Sequence, residues 1–162
     1  MADVGSLGSA LDLSRLNTIN TPGSAARETE KAIISFWESM IGPLGASVKA
    51  SAAIGIMAPI FESTWEAKLP DVNSIANQIA AAIAVAFPLL IVTGGGHGVH
   101  ISIVSTAAGG LGSGLASAWL NPRQSGGSGQ DEATQINIFS IASIAIGVGI
   151  GNPPVPSIGP LT

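Results

Sequence analysis

The stretch of sequence that decides the fold is PDVNSIANQIAAAIAVAFP, residues 70–88. Its large apolar residues recur at spacings of three and four, which predicts an amphipathic helix over about 72–87. Pro70-Asp71 opens this helix, and Pro88 closes it because proline cannot continue a helix. Polar side chains occupy the second face only as far as Gln78, beyond which that face is alanine. Only the first half of the helix is therefore suited to face water.

Two further helices are predicted on the N-terminal side of this one. The sequence Thr21-Pro22-Gly23-Ser24 is typical of a helix start, with either Thr21 or Ser24 as the capping residue. With Gly42-Pro43 as its end, the first of these helices runs over about 25–41. The second is predicted over about 46–60, with Pro59 limiting its end.

The C-terminal side of the deciding helix carries strand signals. Residues 89–93 are apolar and β-prone, residues 94–98 are a glycine-rich turn, and residues 99–103 alternate apolar and polar. This order predicts a β-hairpin over 89–105. Large and small residues alternate over 144–151, which favours a further strand.

Two segments fit more than one structure. Residues 107–120 suit a loop followed by a short helix, and residues 136–151 carry both helical and strand periodicity. Helix and strand therefore both stay open for 101–120 and for 136–151.

The predicted fold is a small α+β domain, mainly helical, with about three helices, a β-hairpin-like element and extended N- and C-terminal arms. The length of 162 residues suits one domain. Residues 1–22 form the predicted N-terminal arm, residues 23–151 the domain and residues 152–162 an extended Pro-rich tail. A Gly/Ser-rich flexible loop is predicted at 121–130.

Charge is scarce in this chain. Charged residues make up 10% of the sequence, against about 25% in typical globular proteins. Residues 72–122 and 133–162 contain no Asp, Glu, Lys or Arg at all. A soluble monomer normally covers itself with charge, so these stretches call for another covering, either lipid or other protein subunits. Scattered cations and a net charge of −4 argue against a nucleic-acid partner.

The sequence offers little catalytic chemistry. There is no cysteine, and His97 and His100 are the only histidines. They lie on a predicted strand, which pairs them poorly for a metal, and no carboxylate lies between Asp71 and Asp131. We therefore predict that the protein is not an enzyme and has no catalytic residues, no cofactor and no metal. A small binding module or enzyme using His97 and His100 is kept as the second alternative.

A membrane-inserted or pore-forming helical protein is the first alternative. A spanning helix needs about 20 predominantly apolar residues. The stretch 101–120 has that length without a charge, but nine of its residues are Gly, Ser or Thr. Aromatic belts and flanking basic clusters are missing as well.

One resemblance bears on function. The segment Phe61–Trp65, followed by the Ala-rich run 73–83 and an apolar, glycine-rich β-like segment, resembles small Ala/Gly-rich virion structural proteins of tailed bacteriophages. The resemblance covers about residues 30–105 and lies in composition and order of segments. No diagnostic motif is matched, so no functional residue is carried over.

The predicted function is a non-catalytic structural subunit of a multi-copy assembly, in particular a bacteriophage virion or tail component. Its partners would be copies of itself and other virion proteins, without nucleic-acid contact. Its location would be the virion, assembled in the host cytoplasm, or a membrane under the first alternative. The predicted subunit-contact residues are Trp119, Ile136, Ile138, Phe139, Ile144, Ile146, Val148, Ile150 and Val155.

Overall fold

The computed structural model describes residues 2–16, 21–121, 128–151 and 153–162. The helices in these ranges are α1 (Val4–Leu16), α2 (Pro22–Glu38), α3 (Ala58–Glu66), α4 (Val72–Ala86), α5 (Ala108–Leu120) and α6 (Gly129–Ile141). The strands are β1 (Ser47–Lys49), β2 (Ile91–Thr93), β3 (His97–Ser105), β4 (Ser143–Gly149) and β5 (Pro156–Gly159). Short 3-10 turns lie at Pro43–Gly45, Ser51–Ala53 and Phe87–Leu89.

The fold is α+β, but the prediction of about three helices is wrong. The described residues form six helices and two small sheets. Helix α2 begins at the Thr21 cap, whose side chain accepts from the backbone N–H of Ser24. Helix α4 begins at Asp71, whose carboxylate accepts from the N–H groups of Asn73 and Ser74. Helix α4 matches its prediction closely, whereas α2 begins and ends three residues earlier than predicted, with Thr21 rather than Ser24 as its cap.

The predicted helix over 46–60 is wrong. That segment contains strand β1 and the 3-10 turn Ser51–Ala53, and helix α3 starts only at Ala58. Pro59 lies in the first turn of α3, where its missing N–H costs nothing. Pro59, which the sequence predicts at the end of a helix, therefore lies at the beginning of one.

The predicted N-terminal arm is also wrong, because residues 4–16 form α1. Asp3 precedes the helix, and its carboxylate accepts from the backbone N–H of Ser6 at 3.1 Å. Leu7 and Leu11, four residues apart, are buried. Helix α1 packs against α2 and α6 and so belongs to the domain.

The predicted hairpin over 89–105 is wrong in its pairing. Strand β2 pairs with β1, and β3 pairs with β4. All pairings are antiparallel, and the larger sheet has the order β3-β4-β5. The glycine segment between β2 and β3 carries an isolated bridge between Gly94 and His97, and Gly96 donates to the carbonyl of Leu44 and accepts from the N–H of Ile150.

The C-terminal residues are part of this sheet rather than an extended arm. β5 pairs with β4, and Leu161 is fully buried. Thr162 exchanges two backbone hydrogen bonds with Ile41, at 2.8 and 2.9 Å. Most of the predicted loop at 121–130 lies outside the described residues, and Gly129 already begins α6.

An aromatic column forms the centre of the core. Phe87 contacts Trp37 and Phe139 edge to face, with ring centroids 5.3 and 4.9 Å apart. The indole Nε1 of Trp37 donates to Ser140 Oγ at 3.0 Å. This column joins α2, the turn after α4, and α6.

A buried carboxylate organises the start of α3. Glu30 on α2 is almost fully buried and accepts from the backbone N–H groups of Gly55 (3.1 Å), Met57 (2.8 Å) and Ala58 (3.1 Å). Its charge also lies at the positive end of α3. One side chain thus satisfies three donors of a segment that lacks regular pairing.

Replacing Glu30 with alanine should destabilise the fold. The Glu30→Ala change leaves the three N–H groups without their acceptor, and we expect a loss of about 2–4 kcal/mol in the free energy of unfolding. Urea denaturation measures this loss. Glu28→Ala, at an exposed position on the same helix, is the matched control and should stay within about 0.5 kcal/mol of wild type. Equal losses in the two variants would contradict the role given to Glu30.

Candidate functional site

One face of the larger sheet is apolar and uncovered. Along β4, Ser143, Ala145, Gly147 and Gly149 are buried, while Ile144, Ile146 and Val148 point to the other side. Residues that face each other in an antiparallel pair lie on the same side of the sheet. The neighbouring strands therefore extend the row that β4 begins.

The register gives the remaining members of this face. Val104 lies opposite Ile144, Ile158 opposite Ile146, and both Val99 and Pro156 opposite Val148. We call the set the outer face. Its members are Val99, Val104, Ile144, Ile146, Val148, Pro156 and Ile158.

The outer face is strongly exposed. Val99 is 63% exposed, Ile158 62% and Val104 49%. Exposed Ile101, Ile150 and Val155 lie at its margin, and Ser102, opposite Ile146, is the one polar residue within it. The three strands contain no Asp, Glu, Lys or Arg. Single exposed apolar residues are ordinary, but a continuous apolar sheet face without charge marks an interaction surface.

The inner face of the same sheet is attached to the core. Ile103 and Ala145 are buried there, and Ser105 Oγ donates to the carbonyl of Phe139 at 2.6 Å. This hydrogen bond attaches the sheet to the C-terminal end of α6, at Phe139 of the aromatic column. The outer face is therefore held on a rigid support.

The two histidines lie on the inner face. His97 is fully buried, and its Nδ1 is 2.7 Å from Ser157 Oγ on β5. The rings of His97 and His100 have centroids 6.3 Å apart. His97 Nε2 and His100 Nδ1 are buried and have no hydrogen-bond partner. Burial lowers the pKa of His100, and the nearby His97 lowers it further.

The geometry limits what the histidine pair can hold. Across the described ranges, no three His, Cys, Asp or Glu side chains come together as a metal-binding group. Gly147 lies against the His97 ring, and a Cβ at that position would overlap it. The space beside His97 Nε2 is therefore filled by the backbone of β4.

The predicted contact residues fall into three groups. Ile136 and Phe139 are buried in the core, and Trp119 is half-buried against it. Ile138 is exposed on α6. The remaining five lie on the outer face or at its margin: Ile144, Ile146, Val148, Ile150 and Val155.

Sequence reasoning missed four members of the outer face. Val99 and Val104 lie on β3, and Pro156 and Ile158 lie on β5. The alternation over 99–103 was a usable signal for β3. Nothing in residues 156–159 signalled that this short segment pairs with β4, because that pairing depends on tertiary structure.

Trp119 lines a surface cavity instead of the sheet. This cavity has a volume of about 440 Å³ and is also lined by Trp65 and Ile75. A larger groove of about 690 Å³ lies between α1 and α2 and is lined by residues that include Leu13, Lys31 and Ser35. Both are separate from the outer face.

One helical stretch in the described part of the chain, Val72–Leu89, is long and apolar enough to cross a membrane. Its residues Ile79, Ile83 and Phe87 are buried in the core of the domain. A core helix of a folded domain meets the same criteria of length and composition. The stretch therefore does not by itself favour the membrane alternative.

Comparison of the chain with protein-family models, curated proteins and solved structures finds no match.

The glycine under the His97 ring gives a direct test of the inner face. Gly147→Ala should displace the ring and strain the sheet, at a cost of about 1–3 kcal/mol in the free energy of unfolding. Gly110→Ala is the control because a Cβ there meets open space on α5, and it should stabilise by about 0.5–1 kcal/mol. Thermal or urea unfolding measures both. A Gly147→Ala chain as stable as wild type would contradict the described packing.

Proposed function

We propose that this protein is a non-catalytic structural subunit that pairs with a second copy of itself through the outer face. The observation that carries the proposal is a continuous sheet face of seven apolar residues without a charge. Water contact with such a face is unfavourable, and covering it provides the driving force for association.

The chemistry of the face favours a second copy as its partner. A neutral apolar surface is best covered by another neutral apolar surface, because a charged partner would lose its hydration without gaining a counter-charge. The outer face itself has this character. Two copies related by a two-fold axis would bring the same patch together, as in a sheet-on-sheet sandwich with about 10 Å between the layers.

The size of the face is sufficient for pairing. A fully exposed Val, Leu or Ile side chain presents roughly 60–120 Å² of apolar surface. The ten apolar side chains of the outer face and its margin are on average about half exposed, so together they offer roughly 300–600 Å². A standard interface buries about 800 Å² per partner, of which somewhat more than half is apolar. The outer face and its margin supply about that apolar share.

The sheet edges are less suited to association than the face. β5 is only four residues long and starts with a proline. β3 carries two register shifts, between His97 and Val99 and between His100 and Ser102. Short strands, prolines and bulges all disfavour edge-to-edge pairing.

The outer face accounts for pairs of copies, and a larger assembly needs a further contact surface. Trp119 and Ile138, away from the sheet, stay predictions for such contacts. The composition and segment order shared with bacteriophage virion proteins favour a virion or tail component as the assembly. The non-catalytic assignment is supported by the two histidines, which lie on the inner face with little access to a substrate.

Charge on the outer face should abolish pairing. We expect wild type to form dimers or larger particles in detergent-free buffer and Ile158→Lys to be monomeric, because a buried unpaired lysine is costly. Ile54→Lys is the matched control, since Ile54 is also 62% exposed but lies far along the chain from the sheet. Sedimentation velocity measures the three species.

Three results would overturn the proposal. These are a monomeric wild type at high concentration, an Ile158→Lys chain that associates like wild type, and a chain that stays in solution only with detergent. The last result would instead favour a lipid partner for the face.

A further inference from the structure

The larger sheet contains an unusual contact between strands that are not neighbours. His97 lies on β3 and Ser157 on β5, with β4 between them. Neighbouring strands are about 4.8 Å apart, so the two backbones are about 10 Å apart. His97 Nδ1 nevertheless lies 2.7 Å from Ser157 Oγ.

Gly147 makes this contact feasible. In the register of the sheet, Gly147 on β4 is the direct partner of Ser157 on one side and of His100 on the other. Because Gly147 has no side chain, the His97 ring lies across β4 and reaches the far strand. The hydrogen bond between His97 and Ser157 is the one side-chain bond described between β3 and β5.

A positive charge on His100 would be unfavourable in the folded sheet. His97 Nδ1 has Ser157 Oγ as its partner, whereas His100 Nδ1 is buried without one. A protonated His100 would carry an N–H at both ring nitrogens, and the one at Nδ1 would have no acceptor. The His97 ring, with its centroid 6.3 Å from that of His100, also disfavours a charge on His100.

No carboxylate faces the pair from the elements packed against it. β2, β4, β5 and the turns Pro43–Gly45 and Phe87–Leu89 contain no charged residue. Helix α6 carries Asp131 and Glu132 in its first turn, whereas its other end, at Phe139, meets β3 at Ser105.

The remaining nearby charges do not compensate either. Lys49, on the strand beside β2, is exposed and is itself a cation. Thr162 pairs with Ile41, and Leu161 donates to Ser143 at the opposite end of β4 from Gly149. The histidines therefore face one another, uncharged residues and backbone.

We infer that His97 and His100 form an acid-sensitive latch that holds β5 on the sheet and releases it when His100 is protonated. Burial keeps the pKa of His100 below its ordinary value of about 6.5, and release restores contact with water. The released state therefore binds more protons, and acidification below about pH 6.5 favours release. Above that pH the latch is closed.

Release of β5 would also dismantle the outer face. β5 contributes Pro156 and Ile158, and its departure uncovers the hydrogen-bonding edge of β4. Acid would thus separate paired copies, a consequence that rests on the proposed function. The latch itself concerns a single chain and is testable without pairing.

Hydrogen exchange of the segment 153–162 tests the latch. Exchange is measured by mass spectrometry at about pH 7.5 and about pH 5.5, on either side of the ordinary histidine pKa, and corrected for intrinsic rates. We expect protection of this segment to fall by about tenfold or more at the lower pH, with α2 unchanged as the internal reference. In His97→Gln/His100→Gln the pH dependence should vanish.

Two further variants keep the test decisive. Ser157→Ala removes the hydrogen bond to His97 but no titratable group, so hydrogen exchange of segment 153–162 should be faster at both pH values. This variant takes the place of the double variant if the double variant does not fold. Ile144→Lys is expected to be monomeric and leaves the latch intact, so it should show the acid response without pairing. A monomeric wild type would overturn the proposed function alone.

The latch is overturned by either of two results. One is equal protection of segment 153–162 at both pH values in wild type. The other is a pH dependence that persists in a folded chain lacking both histidines.

Discussion

The fold depends on the edge-to-face column of Trp37, Phe87 and Phe139. The three rings come from α2, from the turn that ends α4, and from α6, so one cluster sets the positions of three helices. Ser140 fixes the column by accepting from the indole while its own hydroxyl donates to the carbonyl of Ile136. In a chain with 4% aromatic residues, few other side chains provide this much buried contact.

Local signals predicted the parts of the fold that depend on local chemistry. Thr21 and Asp71 each cap a helix that the sequence already showed, and the alternation of 144–151 corresponds to β4. Pro59 was misread because proline is compatible with the first turn of a helix as well as with its end. The strand partners were not predictable, because β2 pairs with β1 and β3 pairs with β4, and the members of each pair are far apart in the sequence.

The candidate site was predictable to a similar extent. The charge-free stretch 133–162 predicted a covered surface, and Ile144, Ile146 and Val148 do point away from the core. Ile136 and Phe139 lie in the same stretch but are buried, because helix α6 turns them inward. The composition identifies the charge-free segment. Only the register of β4 with β3 and β5 shows which of its residues lie on the outer face of the sheet and which on the inner face.

The wide separation of β3 from β4 along the chain has a consequence for folding order. β3 and β4 are separated by two helices, and the backbone pair of Ile41 with Thr162 closes a loop of nearly the whole chain. Contacts of such long range form slowly because loop-closure entropy is lost before they can be made. We therefore expect the pairing of β3 with β4, and with it the outer face, to form late in folding, after the contacts between helices that are neighbours along the chain. Early folding intermediates therefore lack the assembled outer face of isoleucines and valines through which two chains could associate.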